Sequence, residues 1–236
     1  MVKAANTELN DKTLSKVDSI YQALFRAILA QELTPGMKLS EESIGQLFSV
    51  SRTIVRGALN RLHTESLVEF RQNRGAFVAS TTHEEARQVF EARNAIEREV
   101  FSKLATVVTD RQIAMLEQHL EKEHAMRHSG DHAASILLSG EFHMLAANMA
   151  GNEVLAGFLK TLISRTSLIL AQHSTHQDTD CSIDEHASII NALRARNPEA
   201  SAKAIVDHLQ QVFKQASIDQ TRRTKRDLGE ILARYA

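Results

Sequence analysis

The sequence predicts a mostly α-helical protein in two parts, with three short helices and a β-hairpin at the N-terminal end and an all-α bundle after them. Only 5% of the 236 residues are aromatic and only two are proline, so bulky β-formers and helix breakers are both scarce. Apolar residues recur at helical spacing along most of the chain. Two short β-prone runs, at 67–70 and 76–78, interrupt that helical pattern.

The segment 16–80 has the order helix, helix, turn, helix, hairpin. The first predicted helix ends before a Pro-Gly turn at 34–36. Ser40 and Ser51 are the expected N-caps of a second and a third helix, which a tight turn separates. The two β-prone runs then flank a polar tip that ends in a glycine able to accept positive φ. This order is that of a winged helix-turn-helix, and we expect residues 1–15 before it to form a flexible arm.

Residues 82–236 are predicted to form an all-α domain of about six helices. Thr82 and Thr109 are each followed three residues later by Glu or Gln, the pattern of a capping box. Asn197 precedes a proline at the first helical position, where a missing N–H is tolerated. The remaining expected helix starts are at Asp131, Asn152 and Ser182.

Composition excludes several classes of protein. The longest apolar stretches fall short of the roughly 18 residues that a membrane span needs. The segment Met1–Lys16 lacks the apolar core of a signal peptide. Cys181 is the only cysteine, which excludes an internal disulfide framework. We therefore expect a cytoplasmic protein without a membrane partner.

The net charge of −1 averages over a locally basic segment. Between Ser51 and Ala76 five arginines stand against two glutamates, an excess of three positive charges. A short segment with this excess suits a polyanionic partner.

The start of the third helix and the hairpin tip together predict DNA binding. The helix begins at Ser51 directly after a turn, and a helix N-terminus favours phosphate. Arg52 and Arg56 lie one turn apart on one face, and an arginine fork fits guanine or phosphate. Arg74 and Gly75 at the hairpin tip are placed to enter the neighbouring minor groove. The alternative of ordinary solvated arginines is weakened by the turn before them and the basic wing after them.

Eleven histidines are too many for all to be ligands. Six in hydrophilic surroundings are predicted to be solvated surface residues: His119, His124, His128, His132, His173 and His176. Three others, His143, His186 and His208, lie within three different predicted helices. If they converge, their imidazoles form a facial nitrogen set for a divalent metal with positions left for an oxygen ligand. Spacing alone does not show convergence, so three separate buried histidines remain the alternative.

Residues 17–80 resemble the DNA-binding domain of the GntR family of bacterial regulators. The matching stretches are LTPGMKLSE at 33–41, VSRT at 50–53, VR at 55–56 with AL at 58–59 and RL at 61–62, and NRGAFV at 73–78. The resemblance implies operator contacts from the recognition helix and the wing by Ser51, Arg52, Thr53, Arg56, Arg74 and Gly75. Glu42 stands where members often carry a DNA-contacting arginine, and we leave it out of the contact set because a carboxylate repels phosphate. Ser66 stands where glycine is common.

Residues 84–218 resemble the FCD ligand-binding domain of the FadR-type branch. The matching pieces are VFEAR at 89–93 with IE at 96–97, FH at 142–143 with AGN at 150–152, EH at 185–186 and DHL at 207–209. The resemblance implies a metal, zinc or nickel, on the three histidines, a carboxylate effector in its shell, and Arg93 facing the same cavity. Members usually have Asp at the position of Ser139, and a hydroxyl is a poorer metal ligand. Either the metal binds through the histidines with water or effector filling the gap, or an organic effector binds at Arg93 and Ser139 without metal.

The leading hypothesis is a homodimeric transcription regulator that binds double-stranded operator DNA with an affinity set by a small carboxylate. Dimers are expected because two half-sites one DNA turn apart need two recognition helices. A metalloenzyme that activates water on the histidines is the alternative, although no acid–base motif accompanies them. A module serving only assembly is the third hypothesis, and the basic wing argues against it. Effector identity, operator sequence, the sign of regulation and the role of the basic segment 222–226 do not follow from the sequence.

Overall fold

The computed structural model describes residues 15–173, 182–216 and 228–235. Most of the predicted N-terminal arm, His176, Cys181 and the basic segment 222–226 lie outside the described residues. Within them the protein is mostly helical, as predicted, with ten helices and one three-stranded sheet.

Three helices and a small antiparallel sheet form the N-terminal head, which confirms the winged helix-turn-helix. Its elements are α1 (Lys16–Leu29), β1 (Lys38–Leu39), α2 (Glu41–Leu47), α3 (Arg52–Thr64), β2 (Val68–Arg71) and β3 (Gly75–Val78). The strand order is β1-β3-β2. Strand β1 was not predicted, because two residues are too few to show an alternating pattern. Ser40 caps α2 through its side chain, whereas Ser51 occupies the N-cap position of α3 without a side-chain capping bond.

One residue with a left-handed backbone conformation ends α3, and another lies at the tip of the wing. Gly75 has φ of +91°, as its place in the hairpin predicts. Ser66, directly after α3, has φ of +60°, a conformation usually given to glycine at this helix position. The N–H of Leu67 donates to the Leu62 carbonyl and closes the helix end. A serine here costs on the order of 1 kcal/mol relative to glycine.

Six helices form the C-terminal bundle: α4 (His83–Val107), α5 (Asp110–His128), α6 (His132–Met149), α7 (Glu153–His173), α8 (Ser182–Arg194) and α9 (Pro198–Gln215). Five of the predicted caps form through their side chains, at Thr82, Thr109, Asp131, Asn152 and Asn197. The capping box is complete at Thr109. At Thr82 only the side-chain cap forms, and the Glu85 carboxylate pairs with Arg165 instead.

A short C-terminal helix, α10 (Leu228–Leu232), packs on the head rather than on the bundle. Ile231 and Leu232 are fully buried in the apolar core of the head. Arg234 pairs with Glu32 at 2.7 Å. The C-terminal end of the described chain therefore packs against its N-terminal part.

Helix α7 contributes to the cores of both parts. Leu159 and Ile163 belong to the bundle core, whereas Leu168 and Ala171 belong to the core of the head. Within the described ranges α7 is the one helix long and apolar enough to cross a membrane, and just over half (56%) of its apolar 18-residue stretch is buried inside the protein. Its two packed faces account for its apolar composition.

Candidate DNA interface and effector site

His143 of α6, His186 of α8 and His208 of α9 converge inside the bundle. Their ligand atoms lie within 4.8 Å of one another, and all three residues are buried. The Nε2 atoms of His143 and His208 are 3.3 Å apart. Nε2 of His186 is buried and makes no hydrogen bond within the part of the chain that the structure describes. The structure therefore brings the three histidines together, which their spacing in the sequence could not show.

A glutamate binds the Nδ1 atom of each histidine in this triad. The pairs are His143 with Glu97 at 2.5 Å, His186 with Glu123 at 2.8 Å, and His208 with Glu185 at 2.7 Å. When a carboxylate accepts a hydrogen bond from Nδ1–H, the ring proton stays on Nδ1. The lone pair of Nε2 is then available, as in metal-ligating histidines. Three imidazole nitrogens around one point, one of them buried without a hydrogen bond to any described residue, fit a divalent metal. This role of the glutamates was not predicted. Glu97 and Glu185 lie inside stretches that match the FCD domain, whereas no sequence pattern points to Glu123.

The protonation states in the triad suit metal binding. Burial lowers the pKa of His143 to about 4 and that of His208 well below its usual value. Burial opposes ionisation of Glu97, but the neighbouring Arg93 and His143 outweigh it and lower the pKa of Glu97 to about 2. At neutral pH these imidazoles are uncharged and Glu97 is ionised. No proton has to leave His143 or His208 for a metal to bind.

We expect the free energy of unfolding of the metal-free chain to fall as the pH is lowered from 6.5 toward 4. A histidine in the unfolded chain titrates near 6.5, whereas folded His143 titrates near 4. Between these values the unfolded state binds more protons, so stability rises with pH. Urea unfolding across this window measures the slope. His143→Gln should reduce the slope, leaving the contribution of His208, whereas His124→Gln, at an exposed position, should not change it. Equal slopes for the parent and His143→Gln would contradict the assignment.

A small cavity lies beside the triad, between α4, α6, α7 and α9. Its volume is about 20 Å³, enough for about one water molecule. It is lined by the predicted effector residues Arg93 and Ser139, by two of the histidines, and by further side chains that include Thr166 and Ser167. Nε of Arg93 donates to Glu97 at 2.6 Å, while its Nη2 is buried without a hydrogen bond among the described residues. A buried, unpaired guanidinium N–H suits an anionic oxygen.

Helices α6 and α7 pack closely at one wall of this cavity. A Cβ added at Gly140 would lie 2.9 Å from Cγ2 of Ile163, closer than real contacts. Both residues line the cavity. A ligand larger than water therefore has to displace one of its walls.

The opposite face of α7 holds the head. Arg165 donates to the Glu85 carboxylate at 2.5 Å, to the carbonyl of Ser66 at 2.5 Å and to that of Ser80 at 3.0 Å. The Gln172 amide donates to the Ala79 carbonyl at 2.9 Å. One helix thus carries both cavity-lining and head-binding side chains. Sequence reasoning missed Arg165 and Gln172, because their partners lie 80 or more positions away.

A buried carboxylate, Glu65 at the end of α3, makes a second contact between head and bundle. It accepts hydrogen bonds from the Tyr21 hydroxyl at 2.5 Å and the Ser164 hydroxyl at 3.3 Å. Nζ of Lys160 lies 3.2 Å from its other oxygen. Burial and the bond to Glu65 raise the pKa of Tyr21. The recognition helix is therefore anchored to α7 through its C-terminal end.

The predicted DNA-contacting residues all lie on the exposed surface of the head. Ser51, Arg52, Thr53 and Arg56 occupy the start of α3, and Arg74 and Gly75 the tip of the wing. Arg52 pairs with Glu42 at 3.4 Å, and Arg56 pairs with Glu41 at 2.9 Å. The pairing of these arginines with carboxylates of α2 was not predicted.

The prediction that His119 is a solvated surface residue is wrong. Its residue surface is 9% exposed, and Nε2 lies 2.8 Å from the Leu138 carbonyl and 3.3 Å from Glu123. Its sequence neighbours are polar, but it shares the inward face of α5 with Leu116 and Glu123.

A winged helix-turn-helix with an exposed basic recognition helix, joined to a bundle around a polar cavity, defines a DNA-binding transcription regulator. Residues 16–78 match the bacterial regulatory proteins of the gntR family, and residues 88–211 match the FCD domain. The chain belongs to the gntR family of regulators that carry an FCD domain.

Individual relatives share both parts. The HTH-type transcriptional repressor RspR of Escherichia coli (strain K12) is 28% identical over 222 residues, which span 94% of this chain and 96% of RspR. The Uxu operon regulator of Haemophilus influenzae is 29% identical over 236 residues, which span 89% of this chain and 87% of that regulator. The solved structure of E. coli McbR/YncC superimposes with a TM-score of 0.73 at 19% identity, over 86% of this chain and 99% of that one. That likeness shows the same fold.

Proposed function

We propose that this protein is a homodimeric, cytoplasmic transcription regulator whose operator affinity is set by a small carboxylate, bound in the bundle through a divalent metal. The observation that carries the proposal is a pair of buried groups beside His143 and His208 that make no hydrogen bond among the described residues, Nε2 of His186 and Nη2 of Arg93. The first suits zinc or nickel, and the second suits a carboxylate oxygen. RspR is named a repressor, and we propose repression here as well.

The residues proposed to hold the metal favour an anionic effector. Imidazole ligands such as His143, His186 and His208 bring no charge to a metal, and Ser139 adds none at the position where members of the FadR-type branch usually carry Asp. A divalent ion held by neutral ligands keeps its full charge, which a carboxylate effector neutralises. We propose that the three histidines would hold the metal, which would supply positive charge, and that Arg93 would bind a carboxylate oxygen of the effector. The relatives and family matches are transcription regulators, so we propose no catalytic role.

Helix α7 is the proposed link between effector and DNA. An effector has to enlarge a cavity of about 20 Å³, and Ile163, Thr166 and Ser167 of α7 form part of its wall. Displacing α7 moves Arg165, which holds the carbonyls that flank the wing at Ser66 and Ser80. The head then changes its position, and the affinity of the protein for DNA changes with it. By linkage, bound DNA changes the affinity for the effector by the same factor.

The recognition surface is the exposed start of α3 with the wing tip. We propose that Ser51, Arg52, Thr53 and Arg56 enter the major groove, and that Arg74 and Gly75 follow the adjacent minor groove. Two such surfaces on a dimer would read a palindromic site.

An exposed apolar pair on α7 supports the dimer. Val154 is 68% exposed and Phe158 is 63% exposed, one helical turn apart. We expect Phe158→Glu to raise the dimer dissociation constant by about tenfold or more, because it places a charge on an apolar contact. Analytical ultracentrifugation measures this. Met115→Glu, on the exposed face of α5, is the matched control, and an unchanged dimer in both variants would exclude this surface.

A thermal-shift screen of the full chain tests the effector site. Zinc or nickel should raise the melting temperature, and one or more carboxylates should raise it further only while metal is present. A ligand at a hundred times its Kd stabilises by about 2.7 kcal/mol, which moves the melting temperature by several degrees. His186→Ala should lose the metal response and His124→Ala should keep it. A parent chain that responds to neither metal nor carboxylates would overturn the proposal.

A further inference from the structure

Two carboxylates of α2 face the two arginines of the recognition helix, but they hold them very differently. Glu41 accepts two hydrogen bonds from Arg56, from Nε at 2.9 Å and from Nη2 at 3.0 Å. Glu42 accepts one long bond from Nη2 of Arg52, at 3.4 Å. The first pair is a bidentate clamp, and the second is a loose surface contact.

Glu41 is the fixed partner of its pair. Its side chain is 22% exposed, while that of Arg56 is 64% exposed. It lies in the first turn of α2, where the helix dipole stabilises a carboxylate. The Arg56 guanidinium is therefore oriented by a group that itself belongs to the framework of the head.

The clamp leaves one useful edge of the guanidinium open. Guanidinium N–H groups lie in one plane, and Glu41 occupies the edge formed by Nε and Nη2. The edge formed by Nη1 and the second N–H of Nη2 donates to none of the residues that the structure describes. That edge has the spacing of the O6 and N7 acceptors of guanine. The charge of the clamped pair is close to neutral, so it contributes little to binding phosphate.

We propose that Glu41 is a positioning residue for sequence recognition, which holds Arg56 so that its terminal edge reads a guanine in the major groove. Arg52 keeps its charge and its freedom, and Glu42 acts on DNA only through its negative charge. This inference rests on the proposed recognition surface and adds a division of labour within it.

The experiment compares variants on a DNA duplex selected by the parent chain from a random-sequence library. Each guanine of that duplex is replaced in turn by 7-deazaguanine, which removes the N7 acceptor, and the Kd is measured by fluorescence anisotropy. For the parent, at least one guanine per half-site should lose about tenfold in affinity on replacement. In Arg56→Ala and in Glu41→Gln the penalty should disappear at the same one of these guanines, the one that Arg56 reads. A thermal melt of each variant confirms that the head remains folded.

Glu42→Gln is the matched control. Removing its charge should tighten binding to the selected duplex and to a shuffled duplex by the same factor, with the 7-deaza penalty unchanged. Glu41→Gln should instead lower the ratio of selected to shuffled affinity by about tenfold. If Glu41→Gln keeps the full 7-deaza penalty, or behaves like Glu42→Gln, Glu41 is an ordinary surface charge and the inference is wrong. If Arg52→Ala also binds the selected duplex as tightly as the parent, the recognition surface itself is wrong.

Discussion

Replacing Arg52 with alanine is expected to abolish sequence-specific DNA binding while the head stays folded. The side chain is 69% exposed and, within the part of the chain that the structure describes, its one ion pair is a long contact to Glu42, so its loss costs the fold little. A fork contact to a base is worth about 1–3 kcal/mol, and a dimer loses two of them. We therefore expect operator affinity to fall by roughly a hundredfold or more, toward the level of non-specific binding.

The comparison that isolates this effect uses two duplexes and one control. Anisotropy titrations with selected and shuffled DNA should give nearly equal Kd values for Arg52→Ala. Arg111→Ala removes an exposed arginine at the start of α5, far along the chain from the head, and should bind like the parent. Retention of selective binding by Arg52→Ala would show that another surface reads DNA.

Replacing Arg165 with methionine is expected to weaken the fold and to release the head. The Arg165 side chain is 10% exposed, and its removal leaves the Ser66 and Ser80 carbonyls and the Glu85 carboxylate without their donor. Losing several such bonds at a buried ion pair costs roughly 2–4 kcal/mol. Urea unfolding measures the loss of stability, and limited proteolysis between residues 78 and 83 reports release of the head.

Arg87→Met is the control for Arg165→Met. Like Arg165, Arg87 forms ion pairs with glutamates of α4, in its case Glu84 and Glu91, but its side chain is 50% exposed. Surface pairs of this kind contribute about 0–1 kcal/mol. Equal effects of the two substitutions would mean that Arg165 does not join head and bundle.

The head could be predicted from local patterns, whereas the site could be predicted only in part. Ser40, Thr82, Thr109 and Asn197 act on backbone groups within three residues, so their caps follow from the sequence. The histidine triad depends on how three helices pack, and resemblance to a family was needed to expect it. Glu123 lies 63 positions from His186, and no spacing rule reaches that far.

His119 and Arg165 show the same limit. A polar neighbourhood in the sequence says little about which face of a helix a single residue occupies once the helix is packed. Arg165 belongs to a predicted helix, but nothing local indicates that α7 would be shared between two cores.

Operator affinity measured with and without effector tests the central claim most directly. The Kd for the selected duplex is determined for the zinc-loaded parent, alone and with the carboxylate that gives the largest thermal shift. Coupling energies of this kind are typically 1–3 kcal/mol. We expect the Kd to change by at least about fivefold, and saturating DNA to change the carboxylate Kd by the same factor. A carboxylate that binds the metal-loaded chain and leaves the operator Kd unchanged would contradict the account.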